Sequence, residues 1–184
     1  TWAQAFSEPD AGSDLASLRT RMEPDGDGFR VYGEKVWATF GHLSRRSVLL
    51  ARSGGPGHKG LTMVLVDLDQ DGAEVRPIRA EDGENHFSEI FLDGAYVPRE
   101  RVIGELGQGW AVAMYMLQWE RGAWGWLQQG RFHKRLEQTL AIAEPHDRHA
   151  PWIGHPSTLM PALRLHTRDT VRRLAGEETL GPEV

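Results

Sequence analysis

Over the first half of the chain, apolar and polar positions come in short runs cut by Gly-, Asp- and Pro-bearing turns; the second half follows a helical repeat. Leu18 to Met22 and Phe29 to Tyr32 read as strands separated by Asp25-Gly26-Asp27-Gly28, a strong hairpin signal. Gly33-Glu34 reads as another turn, with a strand from Lys35 to Thr39 beyond it. Ser47 to Arg52 and Leu61 to Asp67 make a further pair across the glycine-rich segment Gly54 to Gly60. Asp71-Gly72 leads into Ala73 to Arg76, and His86 to Leu92 alternates until Asp93-Gly94. Short strands at this spacing, with no helix between them, predict a closed or sandwiched antiparallel sheet.

After Tyr96-Val97-Pro98 and a linker near Gly104 the pattern changes. Trp110 to Ala143 holds no proline, and Glu144-Pro145 stops the run, which predicts a helix roughly 50 Å long. A second helix is expected from about Pro156 to Ala175, ended by Gly176. Two helices do not close a bundle, and a long amphipathic helix needs partners for its stripe. The polar loop Phe6 to Asp14 follows only a short apolar run. Both ends of the chain therefore read as truncated.

Charge and cysteine content narrow the classes. The net charge of −5 offers no basic field for nucleic acid or anionic lipid. The absence of cysteine removes disulfides, thiolate metal sites and a cysteine nucleophile. No apolar run reaches membrane-spanning length and no signal peptide opens the chain, so a cytoplasmic protein is expected. The glycine-rich segment lacks Walker A spacing, and His146, His149 and His155 lack metal-ligand spacing, so no metal site is expected. Tryptophan outnumbers tyrosine 7 to 3, which suits a site that sandwiches something planar as well as ordinary core packing.

Three stretches could carry chemistry. The loop Ser7 to Asp14 offers the Ser7 and Ser13 hydroxyls, and Gly12 would let a ligand approach the backbone; taken alone it reads first as a capping or turn segment. Val36-Trp37-Ala38-Thr39 ends a strand with an indole and a hydroxyl, able to stack on a planar ring and to bond its edge. Glu120 has Met116, Ala123, Trp124 and Leu127 at helical spacing around it, placing a carboxylate in an apolar stripe. Burial there would raise its pKa, as a general base near neutrality requires; a glutamate at the stripe edge reaching solvent fits the spacing too.

"FSEPDAGSDLASLRTRM" followed by "DGDGFRVYGEKVWAT" resembles the middle-domain signature of the acyl-CoA dehydrogenases. "LLARSGGPGHKGLTMVLVDLD", "VRPIR", "FSEIFLDGAYVP", "VIGELGQGWAVAM" and "LQWERG" continue it in register to about residue 125. The resemblance implies an α+β multidomain fragment. An antiparallel β-barrel-like middle domain would span 1–102, and helices of an incomplete four-helix bundle 103–184. It implies FAD as cofactor, held by Phe6, Ser7, Gly12, Ser13, Trp37, Ala38 and Thr39, with Trp37 and Thr39 flanking the ring near N5. It further implies an acyl-CoA substrate beside Ser13 and Arg121. Glu120 matches the base position of the isovaleryl- and long-chain-type members; most others take their base from a later segment. His58 falls where the family can touch the CoA moiety, or is a solvated hairpin histidine. An electron-transfer flavoprotein as acceptor and a homodimer or homotetramer are the expected partners. A flavin monooxygenase or oxidase on the same fold, and a non-catalytic subunit of a heteromeric dehydrogenase, are the alternatives. One departure is that the family's Arg-x-x-Phe-Gly stretch is absent, with Glu144 to His149 in its place and Arg148 as a possible substitute.

Overall fold

The computed structural model describes residues 1–144 and 151–176, with the side chains of 120–124 and 152 outside that description. The chain divides into two compact units, Thr1–Met114 and Tyr115–Val184.

The first unit is a curved sheet. Its strands are β1 (Trp2–Ala5), β2 (Arg21–Asp25), β3 (Gly28–Thr39), β4 (Arg46–Arg52), β5 (Leu61–Asp67), β6 (Ala73–Ile78), β7 (Phe87–Pro98) and β8 (Val102–Ile103). The hydrogen-bonded order is β6-β7-β3-β2-β4-β5-β8, with β1 paired to β4. The β-rich class is as expected, with two corrections. The sheet is mixed, because β1 runs parallel to β4 and β2 meets β4 in parallel at Arg21 and Arg52. It is also open, since β6 and β8 end the order without pairing to each other.

Alternation places one face of each strand inside. Val31, Leu49, Val64, Val66, Ile90, Ala95 and Val97 are fully buried in one cluster with Ala5 and Ala38. Each large aliphatic side chain there contributes about 1.5–3 kcal/mol over an exposed one.

Two expected turns are strand interior instead. Gly33 has φ 143°, and a Cβ there would sit 2.6 Å from the Thr20 hydroxyl oxygen. Glycine lets β3 pass Thr20 closely and continue, so β3 runs 12 residues unbroken. At Asp93-Gly94 the pairing steps from Val31↔Ala95 to Tyr32↔Asp93, and Gly94 at φ 81° is the extra residue of a bulge. Leu18 to Met22 also departs from expectation. It follows a 3₁₀ turn (Leu15–Ser17), and β2 starts only at Arg21. The short run Trp2–Ala5 is a strand, because β4 offers it a free edge.

The second unit holds two helices among its described residues, α1 (Gly109–Ile142, which begins in the first unit) and α2 (Pro151–Ala175). The helix expected from Trp110 to Ala143 matches α1. α2 begins five residues before the expected Pro156 and carries Pro156 and Pro161 inside it. Each proline removes one backbone hydrogen bond without ending the helix here. Phe132, Leu136, Ile153, Leu159 and Leu163 line an apolar groove of ≈ 830 Å³ within this unit. Gly125 and Gly130 have nothing within 4 Å of a Cβ built on them, so no described neighbour accounts for either glycine.

Candidate functional site

The loop after β1 is folded back on itself. The Glu8 amide donates to the Ala11 carbonyl at 2.8 Å and the Ala11 amide to the Glu8 carbonyl at 3.2 Å. Ser17 closes the following 3₁₀ turn, its hydroxyl donating to the Asp14 carbonyl at 2.7 Å. The loop is tied to the end of β3 by the Val36 amide, which donates to the Ser7 carbonyl at 2.9 Å. Two stretches some thirty residues apart in sequence thereby become one surface. Phe6 and Ala38 are buried beneath it, Ser7 is half-buried, and Gly12, Ser13, Trp37 and Thr39 are exposed. Gly12 and Ser13 follow the Glu8–Ala11 bridge in the loop, and among the described residues no hydrogen bond joins them to Trp37, Ala38 or Thr39.

The strand end is bent by a second bulge. Lys35 pairs with Ile90 and Ala38 with Ser88, so β3 has one residue more than β7 in this interval. The extra length is taken up at Trp37, whose φ of 63° is left-handed. A bulky side chain in that region costs about 1–2 kcal/mol, and residues held so tend to cluster at functional sites. Trp37 is 59% exposed and meets the Phe87 ring edge-on, with centroids 5.8 Å apart. The surrounding structure thus holds a strained indole out from the sheet. Thr39 follows, and the hydroxyls of Ser7, Ser13 and Thr39 bond to no described residue.

Beneath this surface is a buried ion pair absent from the sequence expectations. The Lys35 side chain is 0% exposed, and its ammonium donates to Glu8 Oε1 at 2.8 Å and to the Phe6 carbonyl at 3.0 Å. Glu8 also accepts the Arg19 amide at 2.6 Å and the Thr20 amide at 2.9 Å. Burial pulls the Lys35 pKa down to about 8 although the Glu8 charge opposes it. Burial pushes Glu8 upward, but the Lys35 charge and the donated hydrogen bonds outweigh it and hold the carboxyl below its ordinary range. The signal was in the parity of β3: Phe29, Val31 and Lys35 are buried at odd positions, although Gly33 between them is exposed, so a lysine was due inside and needed an acid.

Arg52 is the other unforeseen residue. Its guanidinium donates to the carbonyls of Ala16 (2.8 Å), Leu18 (3.1 Å), Gly55 (2.8 Å) and Gly57 (3.0 Å). One side chain clamps the turn after Ser13 to the glycine-rich loop that carries His58. His58 itself is exposed, its ring tilted against Trp110 at 6.0 Å.

Glu120 and Arg121 lie on α1. Their side chains are outside the described residues, as are those of Gly122, Ala123 and Trp124; Arg148 lies outside the described residues altogether.

With this geometry in place, likeness to known proteins is informative. The profile of the acyl-CoA dehydrogenase middle domain matches residues 3–95, half of the chain. The acyl-CoA dehydrogenase IpdE1 of Mycobacterium tuberculosis is 43% identical over 144 residues, covering 77% of this chain and 37% of its own length. The acyl-CoA dehydrogenase FadE34 of the same organism is 47% identical over 124 residues, covering 66% of this chain and 17% of its own. Among solved structures, the Tcur3481-Tcur3483 steroid ACAD matches with a TM-score of 0.87 and 28% identity, over 98% of this chain and 48% of that one. The chain belongs to the acyl-CoA dehydrogenase family. It spans little more than a third of IpdE1 and less than a fifth of FadE34.

Proposed function

We propose that the complete protein is an FAD-dependent acyl-CoA dehydrogenase, and that this chain supplies one wall of its flavin site. The observation that carries the proposal is the Val36–Ser7 hydrogen bond, which sets the loop of free hydroxyls against the exposed indole and hydroxyl of the strand end. The residues fit the cofactor. Trp37 offers a flat face, Thr39 and Ser7 offer unpaired hydroxyls, and open space at the Gly12 Cβ position leaves its backbone free for close approach. When bound, FAD supplies the two-electron acceptor that takes the substrate β-hydrogen as hydride.

The chain's own groups divide the remaining work. Thr39 and Ser7 hold the ring edge by hydrogen bonds, which positions it and favours its electron-rich form. Ser13 lies on the same loop, beside the acyl-CoA. The Glu120 carboxylate removes the α-proton of the thioester and becomes a carboxylic acid, so an α,β-unsaturated acyl-CoA is formed. Fixing the orientation of the thioester before its α-proton is removed lowers the barrier. Arg121, next to Glu120 on α1, is assigned to the acyl-CoA substrate in this reading. Electrons then leave to an electron-transfer flavoprotein, and the complete protein forms a homodimer or homotetramer.

The test is to purify the complete protein, release its cofactor with heat and identify it. FAD at close to one per subunit supports the reading. A complete protein that carries no FAD as purified and takes up none when FAD is supplied refutes it.

A further inference from the structure

The loop of the site carries unsatisfied hydroxyls, yet it is held to β3 by a single backbone hydrogen bond at Ser7. What keeps that loop in register lies underneath. Lys35 sits at the start of the bulge that lifts Trp37, and its ammonium reaches both Phe6, through the carbonyl, and Glu8. Glu8 in turn gathers the amides of Arg19 and Thr20, where the chain leaves the loop for β2. The pair therefore binds the entry of the loop, its exit and the bulged strand at one point. Core packing alone does not call for a charge here: a side chain of the same length without one would fill the volume. It would not fix the Phe6 carbonyl or orient the Glu8 carboxylate.

We infer that Lys35 and Glu8 are a positioning pair for the flavin site, setting the loop 6–14 against Trp37 and Thr39 without touching the cofactor. The inference rests on the reading that the complete protein binds FAD there. A buried ion pair also has a plain structural reading, in which it merely belongs to a stable core. The two differ in what happens when both charges are removed together. Neutral groups of similar size restore stability, because no lone buried charge is left. They do not restore the three-way anchorage.

The experiment uses the complete protein, with free FAD as the probe. Lys35→Met, Glu8→Gln and the double variant are compared with wild type by thermal unfolding of the apo form, by FAD dissociation constant and by flavin midpoint potential. Each single variant should unfold at a lower temperature and bind FAD at least ~10-fold more weakly, the tenfold step being one decade in Kd. The double variant should recover most of the unfolding temperature while keeping the weakened FAD binding. Its midpoint potential should also stay lowered, since ring-edge hydrogen bonds that favour reduced flavin are misplaced. Recovery of affinity and potential in step with stability would overturn the inference and leave a structural pair. Unchanged FAD affinity in the double variant would overturn it as well. Where a single variant does not fold, the double variant alone decides. Wild-type protein that binds no FAD refutes the underlying reading, a result distinguishable from either of these.

Discussion

The Val36 amide and the Ser7 carbonyl are 2.9 Å apart, and through that contact the loop after β1 and the end of β3 form one surface. What is proposed for the site depends on this junction, because the exposed flat ring belongs to the strand end while two of the three free hydroxyls, Ser7 and Ser13, belong to the loop.

Thr39 tests the ring-edge contact. Thr39→Val keeps the shape and removes a hydrogen bond, a loss of roughly 0.5–1.5 kcal/mol. FAD should stay bound while its midpoint potential falls and turnover slows. An unchanged potential with unchanged turnover would place Thr39 away from the ring.

Trp37 separates strain from function. The indole is exposed and its backbone is left-handed. Trp37→Gly removes a steric penalty of about 1–2 kcal/mol but adds chain entropy of about 0.5–1 kcal/mol, so the apo protein should be little changed or slightly stabilised. FAD affinity should fall. Isothermal titration with FAD and urea unfolding check the two halves, and a marked loss of apo stability would show that the indole is structural.

Arg52 tests the clamp. Arg52→Met removes a charged donor from four carbonyls, and charge-assisted hydrogen bonds contribute about 1.5–3 kcal/mol each, non-additively. Destabilisation of at least ~2 kcal/mol is expected on that scale. Hydrogen exchange should rise in residues 14–18 and 54–60 together. Exchange rising in only one segment would show that Arg52 does not join them.

The ion pair predicts a pH dependence. Glu8 has a lowered folded pKa, so its contribution is present above the ordinary carboxylate range and is lost as pH falls through the folded value. Lys35 at about 8, against 10.5 for the free side chain, also favours fewer protons in the folded state, so the cost of burying its charge is relieved between those values. Its share of stability should therefore rise from pH 8 to 10.5. Chemical unfolding of wild type and Lys35→Met across that window checks the sign; a wild-type minus variant difference that falls with pH would contradict it.

Much of this was legible in the sequence. Strands β3 to β7 and the first helix follow from alternation and from proline-free length, whereas β1 and β8 were not foreseen; the loop and Trp37–Thr39 stood out by motif. What was missed has physical causes. Gly33 and Asp93-Gly94 carry turn chemistry, but a strand can use the same residues for a close crossing and for a bulge. No sequence signal marks a tryptophan for left-handed backbone, because tertiary pairing on both sides imposes it. Lys35 was readable from its inward register, whereas its partner was not: Glu8 lies in a loop, where no periodicity applies. Arg52 bonds only to carbonyls, which leave no trace in side-chain identity.

The central claim is that this surface is the flavin wall of an enzyme that oxidises acyl-CoA with Glu120 as base. The most direct measurement is anaerobic stopped-flow mixing of acyl-CoA thioesters of varied chain with the complete protein, wild type and Glu120→Gln, following the visible flavin band. The account predicts rapid bleaching in the wild type by at least one thioester. It also predicts a rate at least ~100-fold lower in the glutamine variant, in line with general-base contributions, with the thioester still bound. A wild-type flavin that no acyl-CoA bleaches would contradict the claim, and near-normal bleaching in the variant would contradict the role given to Glu120.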